Sequence, residues 1–381
     1  MRILVIAGFA ESIVTFRGAL LEALARAGCE VHVAAPGVES TAQLGSSHGL
    51  HEYGLHDVPL ARAGTNPFAD AKSLFALYRL MRRLRPDIVL PYTIKPVIYG
   101  TLAAWLARVP RRFALVTGLG YAFTGERQGL VNRVVRLLYR AALARTGKVF
   151  FQNPDDERLF RDLGIVPARV ASVVVNGSGV DVAAYAATPV QPGGPVFLLI
   201  SRLLGDKGVR EFAEAARRIR ATAPDARFQL VGWIDENPDS ITQAELDDWV
   251  SSGVVEFLGK LADVRPAIAG CTVYVLPSAY REGTPRTVLE AMAMGRPIIT
   301  TDAPGCRETV IEGENGYLVP VRSVDALAVA MQRFVDDPSL AQRMGRRSRQ
   351  IAEDRYDVHK VNAVMLHEMG IEPAARDGAA S

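Results

Sequence analysis

The sequence predicts an α/β protein of two doubly wound domains, each a parallel sheet with helices on both faces. Apolar runs of strand length alternate with segments of helical periodicity along most of the 381 residues, which is typical of parallel sheets. The alternation starts over after a stretch rich in Gly, Pro and Ala at residues 173–194, which we interpret as a connection followed by a loop. The composition, 49% hydrophobic and 22% charged, suffices for two large cores.

The first half of the chain begins with the apolar run RILVIAG, which ends in Gly8. The next segment has apolar residues at helical spacing, and Gly28 stands where that helix should stop. Further strands are predicted at 29–36, 86–92, 112–118 and 148–153, with helices at 97–109 and 131–145. We expect residues 1–178 to form one Rossmann-like domain.

The second half repeats this pattern from residue 196 onward. Strands are predicted at 196–202, 227–232, 254–259, 272–278, 297–302 and 316–321, and helices at 209–221, 242–250, 264–270 and 286–295. Helices from about Val324 onward close this domain, which we place at residues 179–355. Residues 356–370 are expected to form a C-terminal helix that can pack back on the N-terminal domain, and 371–381 a flexible tail.

The formal net charge of +3 combines opposite signs in the two halves. Residues 1–180 hold 22 Lys and Arg against 13 Asp and Glu, whereas the remainder holds 22 against 28. Two domains with different partners are therefore expected.

The cysteines indicate the compartment. Cys29, Cys271 and Cys306 match no paired metal or disulfide spacing, which favours a reduced, cytoplasmic setting. The sequence shows no run of 18 apolar residues, and its start lacks the pattern of a signal peptide. We therefore expect neither a membrane span nor export by the usual route.

A phosphate site is predicted in the stretch ISRLLGDKGVREF, because ligands of open parallel sheets bind beyond the carboxyl ends of the strands. Arg202 follows a strand directly, and Lys207 with Gly208 lies at the entrance to the next helix. Two cations and the N–H groups of a helix N-terminus can converge there on one anion, such as a diphosphate. The alternative is that both cations are ordinary solvated loop charges.

Two carboxylates frame the stretch REGTPRTVLEAMAMG. Glu282 lies in a loop at the edge of the sheet, whereas Glu290 lies in the helix that Pro285 starts, about one and a half turns later. They are expected to hold different parts of one long ligand, a sugar nucleotide with sugar hydroxyls at Glu282, ribose at Glu290 and the diphosphate between. The alternatives are a solvated Glu290, and a Glu282 paired with Arg281 or Arg286.

These motifs, together with NGSGVD between the two halves, resemble the retaining glycosyltransferases of family 4, which have the two-domain GT-B fold. The resemblance implies that Arg202 and Lys207 bind the donor diphosphate, and that no metal or other cofactor is needed. It implies that Glu282 contacts the donor sugar and Glu290 the ribose. Catalysis is assigned to Glu282, Lys207 and Arg202. The donor-binding residues are expected to be Gly8, Phe9, Arg202, Lys207, Lys260, Leu261, Glu282, Gly283, Thr284, Pro285, Arg286, Thr287 and Glu290.

A narrower resemblance rests on SIVTFRGALLEAL, YTIKPVIYGTLAA and VTGLGYAFTG in the N-terminal half. These look like bacterial enzymes that transfer N-acetylgalactosamine or N-acetylglucosamine from a UDP-sugar to a sugar on a polyprenyl-diphosphate carrier. Arg17, Lys95 and Thr117 are the expected acceptor-binding residues of the N-terminal domain. The basic segments RLMRRLRP, RVPRRF and NRVVRLLYRAALAR suit the anionic cytoplasmic face of the inner membrane, although ordinary outer helix faces have the same composition.

The histidines influence the expected mechanism. None of the six, His32, His48, His51, His56, His359 and His367, lies at the strand ends where many relatives carry one. Without a dedicated base we expect front-face transfer with retention, in which the β-phosphate oxygen of the donor takes the acceptor proton. Gly8 and Phe9 are expected to approach the donor when the domains close about NGSGVD. The cluster HGLHEYGLH fits no usual metal spacing and is predicted to be a polar loop or edge segment.

Other functions remain open at this point. A glycosyltransferase with a soluble acceptor has the same motifs. A nucleotide-sugar epimerase of this architecture would need acid and base side chains in the cleft, usually including His. A dinucleotide oxidoreductase would need a Gly-x-Gly-x-x-Gly turn that the sequence lacks. A binding or scaffold protein would not need Arg202, Lys207, Glu282 and Glu290 together. Nucleic-acid binding is disfavoured because no reading module is recognisable.

Overall fold

A computed structural model of the chain describes residues 1–40, 52–60, 66–118 and 130–372, with the backbone alone at 130 and 131. The chain divides into two compact units. Unit 1 consists of Met1–Ser178 together with the residues from His359 onward, and unit 2 of Gly179–Val358. The α/β class of two Rossmann-like sheets is confirmed.

Unit 1 is built on a parallel sheet of seven described strands in the order β3-β2-β1-β4-β5-β6-β7. The strands are β1 (Arg2–Ile6), β2 (Glu30–Ala35), β3 (Gly54–Asp57), β4 (Ile88–Pro91), β5 (Arg111–Val116), β6 (Lys148–Phe151) and β7 (Ala171–Val174). After the arginines that begin β1 and β5, the central strands are apolar, as expected where both faces of a sheet are covered.

Helices cover both faces of this sheet. They are α1 (Glu11–Arg26), α2 (Pro67–Leu84), a π-helical turn (Pro96–Gly100) that leads into α3 (Thr101–Leu106), α4 (Leu130–Leu143) and α5 (Pro154–Asp162). Ile3 and Val5 of β1 pack in one cluster with α1 and the C-terminal helix of the chain. Leu4 and Ile6 point the other way, into a cluster with α2 and α3. Alternate residues of one strand thus enter two cores.

Unit 2 repeats the arrangement with six described strands in the order β10-β9-β8-β11-β12-β13, all parallel. The strands are β8 (Val196–Arg202), β9 (Arg227–Trp233), β10 (Glu256–Phe257), β11 (Val273–Leu276), β12 (Ile298–Thr301) and β13 (Gly316–Val319). The helices are α6 (Val209–Thr222), α7 (Gln243–Ser251), α8 (Arg265–Gly270), α9 (Arg286–Ala293), α10 (Val324–Asp336), α11 (Ser339–Ile351) and, in unit 1 after its first residue, α12 (Val358–Glu368).

Three local predictions need correction. The loop predicted from residue 173 starts too early, because Val173 and Val174 pair with β6 as part of β7. Helix α2 is not among the predicted elements, although the basic segment RLMRRLRP covers its C-terminal end. The helix predicted at 97–109 begins as a π-helical turn at Pro96–Gly100. Of the histidine cluster, His56 lies on the edge strand β3, whereas His48 and His51 lie outside the described residues.

Candidate functional site

Each sheet has one point at which the strand order reverses, between β1 and β4 in unit 1 and between β8 and β11 in unit 2. Chains leave the two neighbouring strands there in opposite directions, which opens a crevice where α/β proteins bind ligands. The loops after β8 and β11 contain Lys207 and Glu282, and the loops after β1 and β4 contain Gly8 and Lys95. Lys207 and Glu282 of the predicted donor site, and Gly8 and Lys95 of unit 1, therefore lie at the reversal points of their sheets.

Backbone contacts join the two loops of unit 2. The carbonyl oxygen of Asp206 accepts from the N–H groups of Ala279 (2.8 Å) and Tyr280 (3.1 Å). Gly208 has φ +75, and a Cβ there would lie 2.2 Å from the carbonyl oxygen of Pro277. Only glycine fits this close approach in this backbone conformation. The turn before α6 and the loop after β11 are thereby held at short range.

The side chains of Lys207 and Glu282 form an ion pair in this crevice. Ser278 donates its hydroxyl to the same oxygen, Oε1 of Glu282 (3.0 Å), and the Lys207 ammonium lies 5.1 Å from the ring centroid of Tyr280. Glu282 is 9% exposed. A carboxylate this buried needs such donors. The positive charge of Lys207 also offsets the negative charge of Glu282, which weakens its repulsion of an approaching anion.

Arg202 is held on the other side of the turn. Its Nη1 donates to Oδ2 of Asp235 (2.9 Å), a residue that follows β9. The two cations predicted to share a diphosphate thus have separate carboxylate partners on the neighbouring loops. Both remain predictions as diphosphate contacts.

The N-terminus of α9 lies beside this ion pair. Its N-cap is Pro285, whose side chain has no atom that could satisfy the first N–H groups. The hydroxyl of Thr287 accepts from Tyr274 (2.6 Å), so this side chain has a structural contact in addition to the binding role predicted for it. Gly305, with φ +85, lies beneath the preceding loop, and a Cβ there would lie 2.4 Å from the carbonyl oxygen of Glu282. Gly283 and Thr284 belong to the loop that Gly305 supports.

Glu290 is buried rather than solvated, with 5% of its surface exposed. Arg286 Nε donates to its Oε1 (2.8 Å), and the Tyr185 hydroxyl donates to the same oxygen (3.0 Å). Burial and the nearby carboxylate raise the pKa of Tyr185 to about 12, so it stays a donor at neutral pH. Among the described residues, the hydrogen bonds of Glu290 all reach Oε1, which leaves Oε2 for a ligand. Arg286, which is among the predicted donor-binding residues, thus pairs with Glu290.

Lys260 and Leu261 of the predicted donor site lie after β10, where the resemblance implies that the backbone holds the nucleotide base. Lys260 is exposed, and its ammonium lies 4.8 Å from the ring centroid of Trp233 at the end of β9. Leu261 packs against the core of unit 2. The Trp233 ring and the Lys260 ammonium at this edge are compatible with binding of the nucleotide base. The assignment of Lys260 and Leu261 to this role stays a prediction.

The reversal point of unit 1 brings Gly8 close to the loop after β4. A Cβ on Gly8 would lie 3.0 Å from Oγ1 of Thr93. Thr93 has φ +68, a conformation that a β-branched residue adopts only under strain. Strained residues of this kind concentrate at binding sites. Phe9 follows in the same loop, and its carbonyl oxygen accepts from Ser12 (2.7 Å).

The predicted acceptor residues are arranged around this loop. Lys95 Nζ donates to Oδ1 of Asp70 (2.7 Å), and the Tyr99 hydroxyl donates to Oδ2 of the same carboxylate (2.8 Å). Arg17 is buried in α1, with its guanidinium 5.2 Å from the ring centroid of Tyr92. Thr117 is half-buried and directly follows β5. The structure thus places an aspartate and a tyrosine next to the predicted lysine.

Several of the contacting residues were not predicted from the sequence, among them Tyr185, Ser278, Asp70, Tyr99 and Asp235. Tyr185 lies in the stretch taken for a connection, and Asp70 lies in the helix that was not predicted. Ser278 is the last residue of the predicted strand 272–278, and the carboxyl end of a parallel strand is the position where ligand-binding residues are expected. No helix in the described ranges is long and apolar enough to cross a bilayer, and no group of three or more His, Cys, Asp or Glu within them could hold a metal ion.

Two Rossmann-like sheets with charged residues at their reversal points are the arrangement found in proteins of the GT-B fold. Residues 13–177 match the family model described as glycosyl transferase 4-like domain, and residues 194–337 match the one described as glycosyl transferases group 1. The chain therefore belongs to the glycosyltransferase family that these two models describe, which confirms the family that the motifs indicated.

Relatives and solved structures agree with this family. The chain is 30% identical, over 92% of its length and 94% of the relative's, to the N,N'-diacetylbacillosaminyl-diphospho-undecaprenol alpha-1,3-N-acetylgalactosaminyltransferase of Campylobacter jejuni. It is 30% identical, over 74% of its length and 75% of the relative's, to the UDP-Gal:alpha-D-GlcNAc-diphosphoundecaprenol alpha-1,3-galactosyltransferase of Escherichia coli. The crystal structure of Anabaena HepE in complex with UDP has the same fold, with a TM-score of 0.76 at 19% identity over 97% of this chain and 100% of that one.

Proposed function

We propose that this glycosyltransferase moves an N-acetylhexosamine, such as GalNAc or GlcNAc, from a UDP-sugar to a sugar on a polyprenyl-diphosphate carrier during surface polysaccharide or glycan assembly. Two relatives at 30% identity are named for transfer to undecaprenyl-diphosphate-linked sugars, which supports this acceptor class. Work on such an acceptor would take place at the cytoplasmic face of the inner membrane.

The observation that carries the donor assignment is the ion pair of Lys207 and Glu282. A lone carboxylate would repel a diphosphate. Neutralised by Lys207, Glu282 can accept hydrogen bonds from sugar hydroxyls while the ammonium also reaches the phosphate. Oε2 of Glu290 would accept from the ribose in the same way, because Oε1 is already occupied by Arg286 and Tyr185.

The transfer is proposed to proceed on one face of the sugar with retention. The bond from the anomeric carbon to the β-phosphate oxygen breaks, and the acceptor hydroxyl oxygen bonds to the same carbon from the same side. That hydroxyl gives its proton to the β-phosphate oxygen, so the products are the extended acceptor and UDP. Lys207, Arg202 and the N-terminus of α9 would stabilise the charge that develops on UDP, which is why we propose transfer without a metal.

The acceptor diphosphate would be bound in unit 1 by Lys95. Its ammonium is held by Asp70, so its position is fixed before an anion arrives. Such preorganisation lowers the entropic cost of binding.

The test is a panel of UDP-sugars offered with a polyprenyl-diphosphate-linked sugar or with a water-soluble sugar, with products identified by mass spectrometry. The anomeric configuration of the product is read by NMR, and each reaction is repeated in a chelator. We expect one UDP-N-acetylhexosamine to react with the lipid-linked acceptor, with retention and undiminished by the chelator. Transfer only to soluble acceptors would overturn the lipid-carrier assignment, and a product with inverted configuration would overturn the proposed mechanism. Loss of activity in the chelator would overturn the metal independence. An isomerised UDP-sugar without transfer would indicate an epimerase.

A further inference from the structure

One helix of unit 1 carries an exposed line of aromatic and cationic side chains. On α2 the residues Phe68, Lys72, Phe75, Arg79 and Arg82 are all exposed, and their spacing of four, three, four and three positions places them on one helical face. We call this line the α2 stripe. Its two rings are 85% and 59% exposed, which is unusual for phenylalanine.

The orientation of the stripe is fixed by the rest of the helix. The opposite face of α2 is buried in the core of unit 1 through Leu77, Leu80 and Met81. At the start of the helix, the side chain of Asn66 accepts from the N–H groups of Phe68 (3.0 Å) and Ala69 (3.3 Å). Such a cap stabilises the first turn. Phe68 is therefore exposed on a helix turn that the Asn66 cap holds in place.

The charge of the stripe has one sign. The acidic residue of α2 is Asp70, which is turned inward to Lys95 and Tyr99. The guanidinium of Arg79 lies 5.8 Å from the ring centroid of Phe75. Cations and rings thus share one surface with no carboxylate from this helix among them.

The neighbouring helices of the same layer continue this character. Trp105 of α3 is exposed, with the guanidinium of Arg145 only 4.3 Å from its ring centroid. On α4, Leu137 is 66% exposed and lies between the exposed residues Arg133 and Arg140 on one helical face. Neither α3 nor α4 contains an acidic residue.

We propose that the α2 stripe docks on an anionic phospholipid bilayer, with Phe68 and Phe75 inserted at the boundary of headgroups and acyl chains. The rings alternate with the cations Lys72, Arg79 and Arg82 along one line. A protein interface has an apolar centre with a polar rim, whereas an interfacial helix combines rings in the acyl boundary with cations at the lipid phosphates. The alternation favours the bilayer over an acidic protein partner.

Docking through this face would also position the acceptor site. Asp70, which holds Lys95, lies on the same helix as the stripe. A helix is about 10 Å across, so Lys95 would lie within about one helix diameter of the headgroups. A diphosphate attached to a lipid lies at that level.

The experiment measures partition of the full chain onto vesicles of phosphatidylcholine alone and of phosphatidylcholine with phosphatidylglycerol, by co-sedimentation at low and high salt. These vesicles contain no acceptor lipid, so the result does not depend on the proposed reaction. We expect binding to the anionic vesicles that weakens with salt. Arg79→Gln with Arg82→Gln should weaken it about 20-fold or more, since each cation near the surface contributes about five-fold. Phe68→Ser with Phe75→Ser should weaken it at least about tenfold.

Matched controls come from unit 2. Arg343→Gln with Arg346→Gln removes the same charge from α11, and Val250→Ser with Val329→Ser removes two exposed apolar side chains from α7 and α10. Circular dichroism confirms that each variant is folded. The proposal would be overturned if binding fell equally in the stripe and control variants, or if it did not depend on the anionic lipid. It would also be overturned if the wild type bound no vesicles, and the α2 stripe would then be assigned to a protein partner.

Discussion

Lys207 donates to Oε1 of Glu282 and so joins the loops that follow the two strands at the reversal point of unit 2. Each side chain is less than 15% exposed. The pair brings together a cation suited to a diphosphate and an acid suited to sugar hydroxyls. Their roles are therefore coupled, and removing one alters the charge and position of the other.

Lys207→Ala and Glu282→Ala should each lower kcat by about 30-fold to 1000-fold, because a charge-assisted contact in the transition state contributes about 2 to 4 kcal/mol. The double variant should lose less than the product of the two single losses, since both changes remove one shared contact. Steady-state kinetics with a saturating acceptor measures this. The control is Arg217→Ala, an exposed ion-paired cation of α6. Wild-type turnover in both single variants would sink the donor-site assignment.

Tyr185→Phe should weaken UDP binding by about fivefold to tenfold, because it removes one hydrogen bond of about 1 kcal/mol from Glu290. Arg286 still holds Oε1, so the maximal rate should change little. Isothermal titration calorimetry with UDP measures the affinity. Tyr356→Phe is the matched control, since its hydroxyl donates to the carbonyl oxygen of Glu308 (2.6 Å) and not to Glu290. Equal affinities in the Tyr185 variant and wild type would show that Glu290 is positioned without it.

Lys95→Ala should raise the KM for the lipid-linked acceptor at least tenfold, because a charge-assisted contact contributes about 1.5 to 3 kcal/mol, and should leave UDP affinity unchanged. Asp70→Asn should have a smaller effect on that KM, since it keeps the lysine but loosens it. Kinetics with varied acceptor and UDP calorimetry separate the two substrates. The control is Lys148→Ala, because Lys148 is another lysine of unit 1 and forms an ion pair with Glu368. A Lys95→Ala variant that loses UDP affinity instead would place the lysine at the donor.

The sequence predicted the alternating strands and helices and placed Lys207 and Glu282 beyond the carboxyl ends of strands, because apolar runs and helical spacing are local signals and ligands of parallel sheets bind at that edge. The strand order, and with it the reversal point between β8 and β11, follows only from the structure. The sequence did not predict the partners of Glu290 and Lys95. Tyr185 is 105 positions from Glu290, and Asp70 is 25 from Lys95. Contacts at such separations are set by tertiary packing, which leaves no periodic trace. Helix α2 was missed because the exposed rings of its stripe interrupt the expected alternation of an apolar and a polar face.

Thr93→Gly should stabilise the protein by about 1 kcal/mol, because the strain of a β-branched residue in the left-handed region exceeds the entropic cost of glycine. It should also slow transfer, since Thr93 faces Gly8 at the reversal point of unit 1. Thermal unfolding and acceptor kinetics measure the two effects. Arg108→Gly, at another positive φ of +61 after α3, should stabilise without slowing. If Thr93→Gly were stable and fully active, the strain would have no role in the reaction.

The stability of the protein should fall as pH drops below about 6.5, because of His56. Burial lowers its pKa from the ordinary value of 6.5, and the charge of His32, whose Nδ1 lies 3.0 Å from Nε2 of His56, and that of Arg83 lower it further. The unfolded chain therefore binds the proton more tightly, and stability is lost as pH falls from 6.5 through the lowered value, by at most about 1.4 kcal/mol per pH unit. Glu30, which contacts His32, does not titrate in this window, because the hydrogen bond from Arg2 lowers its pKa to about 2. Differential scanning calorimetry between about pH 5 and pH 8 should show a smaller decline in Tm for His56→Gln than for the wild type. Parallel declines in the two proteins would exclude His56 as the cause.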